Sequence, residues 1–179
     1  DQRRIAAVGR YDARRRRAGA VRVGAGDGRP RPDPRRAAEH LSVETRDLTV
    51  RTGSARGVAD LTAACAAFLS DIDAEDGLLS VFVPHATAGI VVIEVGAGSD
   101  DDLLDALDRV LPREDRLYRH RHGSPGHGAD HVVPLLASPS LTVPVIGGRA
   151  ALGTWQSICL LDPNADNAER TVRLCFLPG

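Results

Sequence analysis

The chain has 179 residues and a net charge of −1, and 42% of its residues are hydrophobic although only 3% are aromatic. This length and composition fit one domain with an aliphatic core. No stretch approaches the roughly eighteen apolar residues of a membrane-spanning helix, so we expect no membrane contact.

The first 38 residues are rich in Arg, Gly and Pro and show no hydrophobic periodicity. Residues 1–36 contain twelve Arg and four Asp, a charge of +8, so the remainder of the chain carries −9. Such a segment cannot bury enough apolar surface to offset the entropy of ordering it. We therefore predict a disordered extension over residues 1–38 and one folded domain over residues 39–179. Nucleic-acid binding through this basic arm is the alternative, although the arm lacks the interleaved aromatic side chains that stack on bases.

Three cysteines, Cys65, Cys159 and Cys175, lie far apart in apolar surroundings. An odd number of widely spaced thiols predicts buried, reduced side chains. The N-terminal segment also lacks the uninterrupted apolar run of an export signal. We therefore expect a cytoplasmic protein.

Hydrophobic spacing predicts the first elements of the domain. Alternation of apolar side chains between residues 41 and 50 predicts a strand that is broken near Asp47. Apolar side chains three and four positions apart predict a helix of about four turns over residues 58–72. Acidic residues and Gly77 mark its end.

Two short apolar runs follow, at residues 78–83 and 90–93, and they predict buried strands. Ser99 begins a second helix with Asp residues in its first turn, and Pro112 ends that helix. The polar, Gly-rich stretch of residues 113–130 predicts a loop, and loops on rigid scaffolds often carry function.

Antiparallel strands dominate the last third of the chain. Residues 141–146 and 149–153 predict a hairpin, because the intervening glycine pair accepts the positive φ angles of a tight turn. We expect the second hairpin strand to continue through residues 154–161 and a last strand at residues 171–177. Together the elements predict an α+β fold in which a mostly antiparallel sheet or sandwich is covered by two helices.

Histidines are concentrated in one part of the chain. Five of the six lie within residues 85–156, and four lie within residues 120–131. Three converging imidazoles would suit Zn²⁺ or a similar divalent ion with an open position for water or substrate. The spacing matches no local metal motif such as His-Glu-x-x-His. The interleaved Arg116, Arg119 and Arg121 favour phosphate binding as a second interpretation, and a solvated basic loop is a third.

Several motifs resemble the YjbQ family in order and spacing, and members of that family are described as secondary thiamine-phosphate synthases. The motifs are His85-Ala-Thr-Ala-Gly-Ile90, Tyr118-x-His120, His131, Val143-Pro-Val145 with Gly148-Arg149, and Leu152-Gly-Thr-Trp-Gln156. The resemblance spans residues 41–179. It implies a compact α+β domain that forms a homotrimer, with its histidines gathered in a pocket near the subunit interface.

By position, the resemblance implies that His85, His120 and His131 are catalytic and bind a divalent metal, Zn²⁺ or Mg²⁺. It also implies a catalytic role, or one in orienting a histidine ligand, for Glu94. Six further residues are candidates for binding a phosphorylated small molecule: Arg119, Arg121, His127, Thr154, Trp155 and Gln156. Structural packing is the alternative for Trp155.

Four positions depart from the family pattern, namely Ala86, Ile93, Gly126 and His127, which indicates a divergent branch. These changes remove two carboxylates and an amide, while His127 offers a substitute ligand or base. The implied function is a small transferase with secondary thiamine-phosphate synthase activity on phosphorylated heterocycles. The alternative is a trimeric metal- or anion-binding protein without turnover, because no nucleophile–base arrangement is evident.

Overall fold

The computed structural model describes residues 42–120 and 122–179. The predicted extension over residues 1–38 and the candidate Arg121 lie outside the described residues. Within the described ranges all strand pairs are antiparallel, and the strands form two sheets. The strands are β1 (Glu44–Arg51), β2 (Gly57–Asp60), β3 (Gly77–Phe82), β4 (Gly89–Ile93), β5 (Ser140–Ile146), β6 (Arg149–Ala150), β7 (Ser157–Asp162) and β8 (Glu169–Pro178). The helices of these ranges are α1 (Thr62–Asp71), α2 (Ser99–Val110) and the short α3 (His127–Asp130).

A five-stranded sheet has the order β1-β8-β3-β5-β6, and a three-stranded sheet has the order β2-β7-β4. Side chains of β8 alternate between buried and more exposed positions, as expected for a strand with one face on the core. The central strand β7 is instead buried throughout from Ile158 to Asp162. The predicted α+β fold with antiparallel sheets is confirmed.

The main hydrophobic core combines side chains from both sheets with Cys65, Phe68 and Leu69 of α1. A second apolar cluster joins Leu107 of α2 to Leu161 of β7. Neighbouring residues of a strand point to opposite faces, so α2 covers the face of β7 that does not contribute to the main core. No helix in the described part of the chain is long and apolar enough to cross a membrane.

Two predicted boundaries in the first half of the domain are wrong. Asp47 does not break β1, because it lies opposite Arg173 of β8 and its carboxylate accepts hydrogen bonds of 2.8 Å from that guanidinium. The first helix begins at Thr62 because the preceding residues Gly57–Asp60 pair with β7 as strand β2. Asp60 Oδ1 then accepts a 2.7 Å hydrogen bond from the Thr62 backbone N–H at the start of the helix.

The predicted glycine turn is confirmed, with φ values of +55° at Gly147 and +76° at Gly148. Its second strand ends at Ala150, so the prediction that this strand continues to residue 161 is wrong. Residues 157–162 form a separate strand, β7, which pairs with β2 and β4 in the other sheet. The helix predicted to begin at residue 99 is confirmed as α2.

Candidate functional site

The described parts of the polar stretch, residues 113–120 and 122–130, contain more regular structure than the loop that their composition predicts. It contains a 3₁₀ turn at Asp115–Leu117 and the short helix α3, whose four residues are all buried. Arg113 holds α3 by an ion pair with the fully buried Asp130. The Gly126 backbone N–H, immediately before α3, donates a 2.9 Å hydrogen bond to Asp115 Oδ1. Polar contacts, rather than an apolar stripe, therefore hold these two elements in place.

Three histidine rings converge where α3 meets the chain that precedes it. Their potential ligand nitrogens, one from each of His120, His127 and His131, all lie within 4.8 Å of one another. Nε2 of His127 is 3.0 Å from Nε2 of His131, four residues further along the chain. The exposed His122 stands beside them, with its ring centroid 4.0 Å from that of His120. Four of the six histidines thus form one cluster.

The chemistry of this cluster fits a divalent metal ion. Burial, assisted by the neighbouring histidines, lowers the pKa of both His120 and His131, which favours the neutral imidazole that binds metals. Nε2 of His120 is buried and has no hydrogen-bond partner among the described residues. A buried polar nitrogen without a partner is costly, and a metal ion would satisfy it. An all-imidazole donor set favours Zn²⁺ over Mg²⁺, which prefers oxygen ligands.

Polar side chains from the loop between β7 and β8 surround His127. Asp166 Oδ2 is 2.7 Å from His127 Nδ1, and the buried Asn164 donates from Nδ2 to Asp130 Oδ2 at 3.0 Å. Hydrogen bonds from Ser124, and then from Asn164 and His127, lower the pKa of Asp166 to about 2. Asp166 is therefore ionised at neutral pH beside a candidate ligand.

Two glycines permit these close approaches. Gly123 has a φ of +88°, and a Cβ atom there would lie 2.6 Å from His127 Nδ1 and 2.8 Å from Asp166 Oδ2. At Gly128, a Cβ atom would lie 2.6 Å from Cβ of Tyr118 and 2.9 Å from the carbonyl oxygen of His120. The glycines that predict a loop in the sequence thus allow close packing around the histidines.

An open cavity of about 230 Å³ lies beside the cluster. Its lining consists of Asp115, Arg116, His120, His122, Gly123 and Ser124. The candidate Arg119 is exposed next to His120 in sequence, and Arg116 forms an ion pair with Glu114. The cavity therefore offers both cationic and acidic groups within reach of the histidines.

His85 is not part of this cluster, in contrast to the set that the family resemblance implies. The Thr171 backbone N–H of β8 donates a 3.1 Å hydrogen bond to His85 Nε2. Its Nδ1 atom lies 3.5 Å from Nη1 of the buried Arg170. Burial and the Arg170 charge lower the pKa of His85. His127 therefore stands in the third position of the cluster.

A buried ion pair lies between His85 and the histidine cluster. Arg170 and Asp162 are each about 1% exposed and form two hydrogen bonds of 2.7 Å. Nη2 of Arg170 also lies 3.3 Å from Asn164 Oδ1. Asn164 lies 3.1 Å from His127 Nδ1, so the pair links His85 indirectly to the histidine cluster.

The remaining predicted residues lie on exposed parts of the chain. Glu94, Thr154, Trp155 and Gln156 are all exposed, and no hydrogen bond joins them to the cluster within the described residues. Trp155 is 73% exposed, so it does not pack into the core of this chain. Gln156 Oε1 accepts a 2.8 Å hydrogen bond from the Gly153 backbone N–H, which closes the turn before β7.

Sequence reasoning missed several polar residues that surround the cluster: Arg113, Asp130, Asp162, Asn164, Asp166 and Arg170. Asp166 lies 39 residues from the histidine it contacts, and Asn164 lies 37 residues from it. The only signal in the sequence is the dense set of Asp and Asn residues directly after an apolar strand, which resembles an ordinary exposed loop.

Comparison with known proteins gives a family match over most of the domain. The sequence profile described as "UPF0047 protein YjbQ-like" matches residues 46–178. The UPF0047 protein Rv2556c of Mycobacterium tuberculosis is 58% identical over 137 residues, which cover 76% of this chain and 100% of that protein. The UPF0047 protein YugU of Bacillus subtilis is 35% identical over 115 residues, which cover 63% of this chain and 84% of that protein.

Solved structures with the same fold are also found. A hypothetical protein, APE1520 from Aeropyrum pernix, superposes with a TM-score of 0.69 at 31% identity, covering 76% of this chain and 99% of that chain. A YbjQ-like protein of unknown function from Sulfolobus solfataricus gives a TM-score of 0.69 at 23% identity, covering 78% of this chain and 100% of that chain. The second similarity supports the fold alone.

Proposed function

Because the chain belongs to the YjbQ-like UPF0047 family, we propose that it is a metal-dependent transferase acting on a phosphorylated small molecule. The observation that carries this proposal is the convergence of His120, His127 and His131, with ligand nitrogens within 4.8 Å of one another. Catalytic zinc sites commonly use three protein ligands and leave a further position for water or substrate.

The three histidines would hold the ion, and Zn²⁺ is the best match to their nitrogen donors. A bound divalent ion supplies Lewis-acid stabilisation of the negative charge on a phosphate or pyrophosphate group. His122 lies at the exposed side of the cluster, on the wall of the adjoining cavity. Substrate would therefore approach from the cavity, past His122.

Two arginines, one on the cavity wall and one next to His120 in sequence, support a phosphorylated substrate. Arg116 contributes to the lining and Arg119 is exposed nearby, and guanidinium groups bind phosphate oxygens in a bidentate manner. A thiamine-phosphate synthase reaction fits this chemistry. In that reaction the thiazole nitrogen forms a bond to the pyrimidine methylene carbon, whose bond to pyrophosphate breaks. The leaving pyrophosphate takes the electron pair, and the cationic groups would bind it.

An assay for this reaction tests the proposed activity. Metal-free protein would be incubated with the pyrimidine methyl pyrophosphate and the thiazole phosphate, with and without added Zn²⁺, and thiamine phosphate would be quantified. We expect product only with metal, and at least a tenfold loss of rate in His120→Ala. Equal product with and without metal would contradict metal dependence, and no product under any condition would remove this reaction as the activity.

Metal or anion binding without turnover is the second candidate. It is favoured by the position of Ser124, the hydroxyl-bearing residue on the cavity wall, whose hydrogen bonds go to Asp166. Since Ser124 is hydrogen-bonded to a carboxylate, no histidine of the described residues stands in the position of its general base. Tight binding of Zn²⁺ together with inorganic pyrophosphate, and no conversion of phosphorylated heterocycles, would favour this candidate.

The homotrimer implied by the resemblance also belongs to the proposal. Support comes from large apolar side chains left exposed near the β5–β6 hairpin and the turn before β7, namely Ile146 at 65% and Trp155 at 73% exposure. Such side chains are common in the buried centre of subunit interfaces. Light scattering during size-exclusion chromatography should give three times the mass of one chain, and a monomer mass would contradict it.

A further inference from the structure

We propose that Asp166 is a positioning residue that fixes the tautomer of His127 and so presents His127 Nε2 as a metal ligand. This inference rests on the metal site of the proposed function. A neutral imidazole carries one N–H, and the partner of one ring nitrogen determines which nitrogen keeps a free lone pair. Asp166 Oδ2 lies 2.7 Å from Nδ1, within the distance of a charge-assisted hydrogen bond.

A second group competes for the same nitrogen. The Asn164 amide nitrogen lies 3.1 Å from His127 Nδ1, and donation from it would require a lone pair there. The same amide nitrogen donates a 3.0 Å hydrogen bond to Asp130 Oδ2, which gives it a carboxylate acceptor elsewhere. The shorter contact and the charge of Asp166 therefore place the proton on Nδ1 of His127.

Asp166 is itself held in place by its own loop. Its backbone N–H donates a 3.0 Å hydrogen bond to Oδ1 of Asn164, a residue that is 1% exposed. Asp166 Oδ2 also accepts a 3.3 Å hydrogen bond from the Ser124 backbone N–H. Gly123 leaves room for the carboxylate against the ring, since a Cβ atom there would lie 2.8 Å from Asp166 Oδ2. These contacts hold the carboxylate with Oδ2 directed at Nδ1.

The position of this proton determines what the opposite side of the His127 ring can bind. With the proton on Nδ1, the free lone pair is on Nε2, which is the atom 3.0 Å from Nε2 of His131. His127 is then set to share an ion with His131 before any ion arrives. Carboxylate partners of this kind orient histidine ligands, and their removal typically costs about 10–100-fold in metal affinity.

Two measurements on the full chain test this role. The first is Zn²⁺ affinity by competition with a chromophoric chelator, in the wild type, Asp166→Ala and Asp166→Asn. We expect about 10–100-fold weaker binding in Asp166→Ala and a smaller loss in Asp166→Asn, which retains an oxygen acceptor for the Nδ1 proton. Asn167→Ala is the matched control, because Asn167 is an exposed residue of the same loop and its side chain makes no hydrogen bond to the described residues.

The second measurement is long-range ¹H–¹⁵N correlation of the histidine rings in metal-free protein. We expect His127 to be protonated at Nδ1 in the wild type and to lose this preference in Asp166→Ala. Unchanged Zn²⁺ affinity in Asp166→Ala, or a wild-type His127 protonated at Nε2, would overturn the inference. A wild type that keeps the Nδ1 proton but binds no Zn²⁺ would instead overturn the proposed function.

Discussion

At the scale of single residues, His127 and His85 differ in whether they lie with the other histidines of the cluster. His127 lies within ligand distance of His120 and His131, whereas His85 accepts a hydrogen bond from the β8 backbone. Positional matching to a family pattern implies His85 as a metal ligand, whereas the site that we propose from the geometry uses His127. The two assignments predict different behaviour for two histidine-to-alanine variants.

We expect His127→Ala to lose at least tenfold in Zn²⁺ affinity, because one of three converging nitrogens is removed. His85→Ala is the matched histidine variant, and its affinity should stay within about threefold of the wild type. Chelator competition measures both. The reverse pattern, with binding lost in His85→Ala and kept in His127→Ala, would contradict the assignment.

Thiol reactivity gives a separate test of the core. Burial, the largest contribution, raises the pKa of Cys65 and Cys159 to about 12, so neither forms appreciable thiolate at pH 8. We expect Cys175, which is only partly buried, to react first with an aromatic disulfide reagent in the native protein. The other two should react only after unfolding. Three thiols reacting at one rate under native conditions would show that the core is open.

Residue identity alone could predict part of the site. The density of histidines in residues 120–131 points correctly to a cluster, and His120 and His131 are both in it. Asp166 and Asn164 could not be predicted, because their contacts with His127 depend on how the β7–β8 loop lies over α3. Sequence spacing carries no information about such long-range pairs.

At the scale of elements, α3 shows how a short helix without an apolar stripe is stabilised. It spans four residues and contains two small ones, Gly128 and Ala129, which allow close packing. Gly128 faces the chain around Tyr118 and His120 at distances that exclude a larger residue. The helix thereby brings His127 and His131 towards His120.

Gly128→Ala should therefore disturb both stability and the site. The added methyl group would meet backbone and side-chain atoms closer than 3.0 Å, and overpacking of this kind costs about 1–3 kcal/mol. We expect a lower urea midpoint together with weaker Zn²⁺ binding. Gly57→Ala is the control, since no atom of the described residues, its chain neighbours aside, lies within 4 Å of the place that its added methyl group would occupy. Equal midpoints for the two variants would contradict this packing.

Prediction from sequence works best for elements with a clear period. The start of α2 and the Gly147-Gly148 turn follow local rules, and both predictions are correct. The segment Gly57–Asp60 also fits a helical stripe, yet its pairing with β7 makes it a strand. Tertiary pairing overrides local preference when a short segment satisfies both patterns.

At the scale of the whole molecule, the buried pair of Arg170 and Asp162 joins the sheet system to the site. Asp162 ends β7 in the three-stranded sheet and Arg170 lies in β8 of the five-stranded sheet. The pair also contacts Asn164, which lies against the histidine cluster. The same buried charges therefore stabilise the fold and orient the residues of the site.

Arg170→Met should destabilise the protein by about 3–5 kcal/mol, because it leaves the carboxylate of Asp162 buried without its partner. Arg173→Met, three residues further along the same strand, breaks the exposed pair with Asp47 and should cost far less, because solvent screens an exposed ion pair. Urea unfolding followed by circular dichroism measures both. Similar losses in the two variants would contradict the role of the buried pair.

Anomalous X-ray scattering at the zinc edge, from crystals grown with Zn²⁺, would locate the ion directly. We expect one strong peak bounded by ring nitrogens of His120, His127 and His131, with His85 still hydrogen-bonded to the Thr171 backbone. A peak at His85, or no peak among the three histidines at saturating Zn²⁺, would contradict the three-histidine metal site.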